Sequence, residues 1–292
     1  MSHLADEIAS QPECWAKAIE MAASTGAALP ERGERVAAIG CGSSLNVARC
    51  YAALREAAGH GQTDAFPASE VPATRRYDRM VYISRTGTTT EVLDALRQAP
   101  GQVTTTAVTA VPGSPLAREA ARTILLDFAD ERSVVSSRFI SSSIVLLRAH
   151  LGEDVQKLPG QAATELARPL PPGLAELAEF TFLGRGWAAA VADEAALKLR
   201  EASRAWAESY PAMEYRHGPI SVSDETTAVW ALGQVPPALL ADARRTGAMV
   251  IATDADPLTG LIGAQRLAAV LAEHKGIDPD RPRALSRSVI LA

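Results

Sequence analysis

The chain is poor in the residues that would cross-link it or anchor it. Its 292 residues include three cysteines, Cys14, Cys41 and Cys50, with no CxxC pair among them. That excludes a dense disulfide framework and argues against structural zinc. The sequence contains no continuous apolar run of about 18 residues, so no membrane-spanning helix is expected. The opening MSHLADEIASQPECW carries acids where a secretory signal would carry cations followed by an apolar run, so the expected location is the cytoplasm. Aromatic residues make up only 5%, which leaves the core to aliphatic side chains and alanine. Lysine occurs only at Lys17, Lys157, Lys198 and Lys275, and arginine supplies the other cations.

What is present is globular. Hydrophobic residues are 47% and charged residues 22%. The net charge of −5 excludes a broad basic surface for nucleic acid but not a local basic pocket for a small anion. The length suits about two domains or one large α/β unit.

Short apolar runs ending in glycine or serine alternate with helical spacing. A helix is expected over Ile8–Leu29 and a buried strand over Arg35–Gly40, followed by a glycine turn and a helix over Asn46–Ala58. The pattern recurs with strands at Arg79–Ser84, Val103–Thr109 and Thr123–Phe128, and helices at Thr90–Gln98 and Ser133–Leu151. Leu158–Gly173 is rich in proline and glycine and reads as the boundary between two halves. The second half repeats the theme, with strands at Glu179–Gly184, Thr227–Leu232 and Gly247–Thr253. Its helices are expected at Ala188–Tyr210, Pro237–Arg245 and Leu261–His274. The expected fold class is α/β, two tandem three-layer α/β/α units with parallel sheets, dividing the chain into 1–160 and 161–292.

Two first-half loops, Gly40–Ser44 and Ser84–Thr89, stand at strand ends and open helices. Glycine, clustered hydroxyls and free backbone amides suit a phosphate there. Helix caps and turns use the same residues, so the pattern also has a purely structural reading. The loops that correspond in the second half, Gly184–Gly186 and Leu232–Gln234, carry no hydroxyl, which points to one phosphate site per chain. A GxxxxGK[ST] loop is lacking, and Leu45 stands where a dinucleotide fingerprint needs its third glycine.

Glu194, Lys198 and Glu201 share a helix face by spacing. The lysine would keep Glu201 ionised as a base. The same spacing describes an exposed ion-pair ladder. His217, in a loop bounded by Gly218 and Pro219, is placed to exchange protons near neutral pH, or else is structural. The C-terminal stretch is basic first and apolar last. It suits a tail that docks and delivers a cation such as Arg287 to an acidic substrate, although an edge strand would read the same way.

Taken together these segments resemble the sugar isomerase (SIS) family of phosphosugar-binding proteins. GCGSS at 40–44 is similar to the family's GCGTS, and SRTGTT at 84–89 to its SQSGET. SVVSSR at 133–138 resembles GVASTK, and EAALKLRE at 194–201 resembles EGALKLKE. EYRHGP at 214–219 looks like ELKHGP, and PRALSRSV at 282–289 like PRNLAKSV. The likeness runs most strongly to the isomerase portion of glucosamine-fructose-6-phosphate aminotransferase and to stand-alone deaminases and deglycases.

The resemblance implies that Ser43, Ser44, Ser84, Thr86 and Thr89 hold a sugar phosphate, with Arg85 beside it. Glu201 would move a proton between C1 and C2, and His217 would assist ring opening from the neighbouring subunit of a homodimer. Lys198 would support the enediol region and Glu194 the sugar, while Val134 and Ser136 would contact hydroxyls. No metal or organic cofactor is implied. Arg287 replaces the family's lysine, Arg85 its glutamine and Thr88 its glutamate, and glutaminase activity is not expected. Two functions follow as expectations. One is isomerisation or amine release on a 6-phosphorylated ketose or aminosugar. The other is a non-catalytic phosphosugar sensor, to which the Ser/Thr loops alone would suffice.

Overall fold

The computed structural model describes residues 2–291. The chain divides into two compact units. One is Ser10–Pro159 with the described part of Leu285–Ala292, and the other is Gly160–Ala284 with the described part of Met1–Ala9. The expected division leaves each terminus with its own half, whereas the structure groups each terminus with the other half.

Two helices, α1 (His3–Ala9) and α2 (Gln11–Thr25), stand where one was expected. The break falls at Ser10. Pro12 lies in the first turn of α2, where its missing N–H costs nothing. Within a helix running on from α1, its ring would meet the carbonyl of Ile8.

The first unit continues with β1 (Val36–Gly40), α3 (Ser43–Ala57), β2 (Thr63–Pro67), β3 (Arg79–Ile83) and α4 (Thr90–Arg97). It then runs through β4 (Thr104–Thr109), α5 (Pro115–Glu119), β5 (Arg122–Leu125) and α6 (Arg138–His150). The strands pair in parallel in the order β2-β1-β3-β4-β5. Every residue of β1 and β3 is buried, as strands covered on both faces require. On one face Ile39 and Tyr82 pack against Val92 and Leu96 of α4 and Leu116 of α5. The other layer contains α2, α3 and α6. Trp15 of α2 is fully buried there, its Nε1 donating to Ser141 of α6 at 2.8 Å.

The second unit follows with α7 (Leu158–Ala167), β6 (Glu179–Gly184), α8 (Trp187–Ser203) and β7 (Trp206–Pro211). It closes with β8 (Thr227–Leu232), α9 (Pro237–Arg245), β9 (Met249–Ala252) and α10 (Pro257–His274). The sheet is parallel, in the order β7-β6-β8-β9. Leu183 and Val229 pack on Leu239 and Ala243 of α9, and α8 pairs with α10. The architecture is thus two tandem α/β/α units with parallel sheets. The helix expected to reach Tyr210 stops at Ser203. Arg204 turns left-handed (φ 51°) and donates its N–H to the Arg200 carbonyl, freeing the chain to form β7.

Both units open with the same joint. Gly42 (φ 54°, ψ −124°) precedes α3 and Gly186 (φ 57°, ψ −130°) precedes α8. Just before them, Gly40 and Gly184 end their strands against the first turn of the next helix. A Cβ on Gly40 would lie 2.6 Å from the Ser44 carbonyl group. Gly40→Ala is therefore expected to destabilise the first unit by about 1–3 kcal/mol as an overpacking change, read as a lowered urea midpoint.

Candidate active site

In the first unit β1 is flanked by β2 on one side and β3 on the other, so the strand order reverses between β1 and β3. Ligands of open α/β sheets collect at such a switch point. The loops after β1 and β3 are the two hydroxyl-rich segments. Ser43 and Ser44 open α3, and Ser44 is buried. Ser84, Arg85 and Thr86 are also buried. Gly87 is left-handed (φ 63°), and a Cβ there would collide with the Ser114 side chain.

The hydroxyls of the second loop converge. Ser84 Oγ accepts the Gly87 N–H at 3.2 Å and lies 3.3 Å from Thr89 Oγ1. Ser288, from the C-terminal tail, joins them. Its Oγ stands 3.2 Å from Thr86, 2.9 Å from Thr88 and 3.4 Å from Thr89. The tail is held by the Thr90 N–H, which donates to the Val289 carbonyl, and by Arg287, which pairs with Asp130. Ser288 and Thr88 escaped the sequence reading as members of the cluster. Their only signal was membership of the two motifs whose other residues drew attention.

Arg85 does not point its charge at open space. Its guanidinium donates to Glu131 at 2.9 Å and to the carbonyls of Ser133, Val134 and Arg287 at 3.1, 3.0 and 3.3 Å. Ser136 also belongs to this group, its hydroxyl donating to Glu131 at 2.6 Å. Burial alone would raise the Glu131 pKa. Arg85 and the donors of Ser136 and Ser137 outweigh it and hold the carboxyl below the ordinary range. Residues 133–137, expected to begin α6, instead form the loop that this carboxylate gathers.

In the second unit α8 carries the acidic pair and its lysine. Lys198 Nζ lies 3.2 Å from Glu194 and 2.6 Å from Glu201. An exposed ladder is excluded, because the Lys198 and Glu194 side chains are each only 1% accessible, while Glu201 keeps 20%. Burial pulls the Lys198 pKa down, but Glu194 and Glu201 outweigh it and hold the ammonium above its usual value. The trio is thus a buried cation fixed between two carboxylates, of which Glu201 alone reaches solvent. His217 ends a 3-10 turn, Ala212–His217, before Gly218 (φ 133°). It is exposed. Among the described residues, no three His, Cys, Asp or Glu side chains gather to hold a metal ion. No described helix is long and apolar enough to cross a membrane.

Residues 31–149 match the family described as SIS domain. The crystal structure of glucosamine-6-phosphate deaminase from Thermotoga maritima superposes with a TM-score of 0.83 at 26% identity, covering 99% of this chain and 100% of that one. The family match falls within the first unit, and the chain shows SIS-domain homology to that deaminase. Among curated relatives is the isomerizing glutamine–fructose-6-phosphate aminotransferase of Methanothermobacter thermautotrophicus. It is 29% identical over 305 residues, which are 88% of this chain and 51% of that protein. The chain spans about half the length of such curated relatives. The tagatose-6-phosphate ketose/aldose isomerase of Escherichia coli shares the fold, with a TM-score of 0.81 at 18% identity over 100% of this chain and 96% of its own.

Lys198→Met leaves the buried Glu194 without its lysine and is expected to cost about 3–5 kcal/mol in denaturant unfolding near neutral pH. The sign with pH follows from the raised folded pKa. The lysine's contribution is complete below its unfolded value of about 10.4 and is lost as pH rises through the folded value. The stability gap between parent and variant should therefore be flat from neutral pH into the mildly alkaline range and narrow only in strong alkali.

Proposed function

We propose that this protein is a phosphosugar isomerase or isomerising aminosugar-phosphate deaminase. It would open a 6-phosphorylated ketose or aminosugar and move a proton between C1 and C2. The observation that carries the reading is the state of α8, where a buried ammonium holds one solvent-reaching carboxylate in a single position. An ion pair serving only the surface would not be buried. A base that must take a proton from carbon needs a fixed geometry, and Lys198 supplies it to Glu201 through a contact of 2.6 Å.

The remaining roles follow from the chemistry each group offers. Ser43, Ser44, Ser84, Thr86 and Thr89 would donate to the phosphate oxygens. The backbone near Val134 and Ser136 would contact sugar hydroxyls. Lys198 would also stabilise negative charge that develops on the enediol, and Glu194 would hold the lysine from below. His217, which is exposed, would move the ring-opening proton. Met213 and Val222 on either side of it are exposed at 42% and 58%. That apolar flank supports delivery of His217 across a homodimer. The likeness to glucosamine-6-phosphate deaminase supports the amine-releasing branch.

The test is turnover of glucosamine 6-phosphate, fructose 6-phosphate, tagatose 6-phosphate and fructosamine 6-phosphates, with amine release and ketose–aldose conversion read separately. Glu201→Gln should lower kcat by about 100-fold or more with substrate binding retained, and His217→Asn should spare open-chain substrates more than cyclic ones. Amine release would select the deaminase or deglycase branch, and conversion without it the isomerase branch. Tight binding with no turnover would replace the catalytic reading with a phosphosugar-binding protein.

A further inference from the structure

The groups that shape the hydroxyl cradle are not those that would touch a phosphate. Glu131 is 2% accessible, yet its carboxylate accepts five hydrogen bonds. One oxygen takes Arg85 at 2.9 Å and the Ser136 hydroxyl at 2.6 Å. The other takes the Ser137 N–H at 2.5 Å, the Ser137 hydroxyl at 3.0 Å and the Arg138 N–H at 2.7 Å. Arg85 then reaches the carbonyls of Ser133, Val134 and Arg287. Its own carbonyl is held by the Ala110 N–H at 2.9 Å and the Thr109 hydroxyl at 3.0 Å. Three segments therefore meet on one ion pair: the loop after β3, the turn entering α6, and the tail that carries Ser288.

Buried ion pairs are a poor source of stability, since apolar side chains of equal volume often serve as well or better. What they impose is geometry, through directional bonds that apolar contacts lack. Ser84 and Thr86, whose hydroxyls line the cradle, flank Arg85 in sequence, so the ties on its guanidinium and on its carbonyl together restrain the segment that carries both.

We propose that Glu131 is a positioning residue for phosphosugar binding. Acting through Arg85, it sets the spacing between the Ser84–Thr89 loop and the Val134–Ser136 segment. Arg85 works here as a strut, and the expected direct contact of its charge with phosphate is replaced by a contact with Glu131. This deepens the reading of the chain as a phosphosugar enzyme and rests on it.

The experiment compares the parent, Arg85→Gln, Glu131→Gln and Glu201→Gln. It measures titration calorimetry with fructose 6-phosphate and with inorganic phosphate, melting temperature, and KM and kcat on whichever panel sugar turns over. Arg85→Gln and Glu131→Gln are expected to stay folded at the assay temperature. They should bind both probes about tenfold or more weakly, with KM raised and kcat changed far less. Glu201→Gln should show the converse, a lost kcat with binding kept.

If Glu131→Gln does not fold, Arg85→Gln decides, because it leaves Glu131 its four other donors. Folded variants with a lower melting temperature but parental affinity and KM would make the pair purely structural and overturn the proposal. If the parent binds but turns nothing over, the catalytic reading fails alone and the affinities still decide. A parent that binds neither probe removes both.

Discussion

The tightest constraint in the molecule is the approach of a strand end to the helix that follows it. At Gly40 and again at Gly184 the backbone of the next helix lies where a side chain would begin. The close approach brings the first turn of α3 to the end of β1 and that of α8 to the end of β6. In the first unit it places Ser43 and Ser44 at the switch point of the sheet beside the loop from β3. In the second it sets where α8 starts, and the residues Glu194, Lys198 and Glu201 follow along that helix at fixed spacing. A glycine that reads as a simple turn is in this way the origin of the site geometry in both units.

Each unit also buries a charged system among its candidate residues, and the two are built differently. Lys198 sits between two carboxylates, and Glu201 opens to solvent. Arg85 and Glu131 are matched one to one and closed off. The first arrangement leaves one carboxylate open to solvent. The second removes a cation from the cradle and uses it to tie backbone carbonyls together. Desolvating charge costs several kcal/mol per ion unless donors and acceptors are matched, and the Arg85–Glu131 pair meets that demand through dense hydrogen bonding.

Much of this architecture is legible in the sequence because parallel strands announce themselves. Glu179–Gly184, Thr227–Leu232 and Pro237–Arg245 form the elements expected of them over those same residues. The strands β2 and β7 do not announce themselves. Both lie at sheet edges and carry polar residues, Asp64 in one and Glu208 and Ser209 in the other. In β7 the Ala- and Glu-rich composition continues the helical signal of α8, and the break rests on Arg204, a residue with no local preference for the left-handed region. The two hydroxyl loops and the α8 trio are legible from residue type and spacing. Glu131 is not, because an acid in a polar stretch gives no sign that five donors will close around it. The inward turn of Arg85 is hidden for the same reason: spacing places a cation near a loop but not the direction of its guanidinium.

On the proposed phosphosugar reading, that inward turn decides what kind of anion site the first unit would offer. With Arg85 neutralised by Glu131, the loop presents hydroxyls and backbone amides, reinforced by the N-terminal dipoles of α3 and α4. Neutral donors individually return less than charged ones for stripping water from a phosphate. Such a site must therefore supply many of them at once, each at hydrogen-bond distance. Ser84, Thr86, Thr88, Thr89 and Ser288, each with its hydroxyl 2.9–3.4 Å from at least one other, would meet that demand. Affinity in a cradle of this kind depends on geometry more than on charge, and it responds weakly to salt. A rigid strut beneath the loop is the device such a cradle requires, since a displaced hydroxyl has no long-range attraction to compensate for its lost contact.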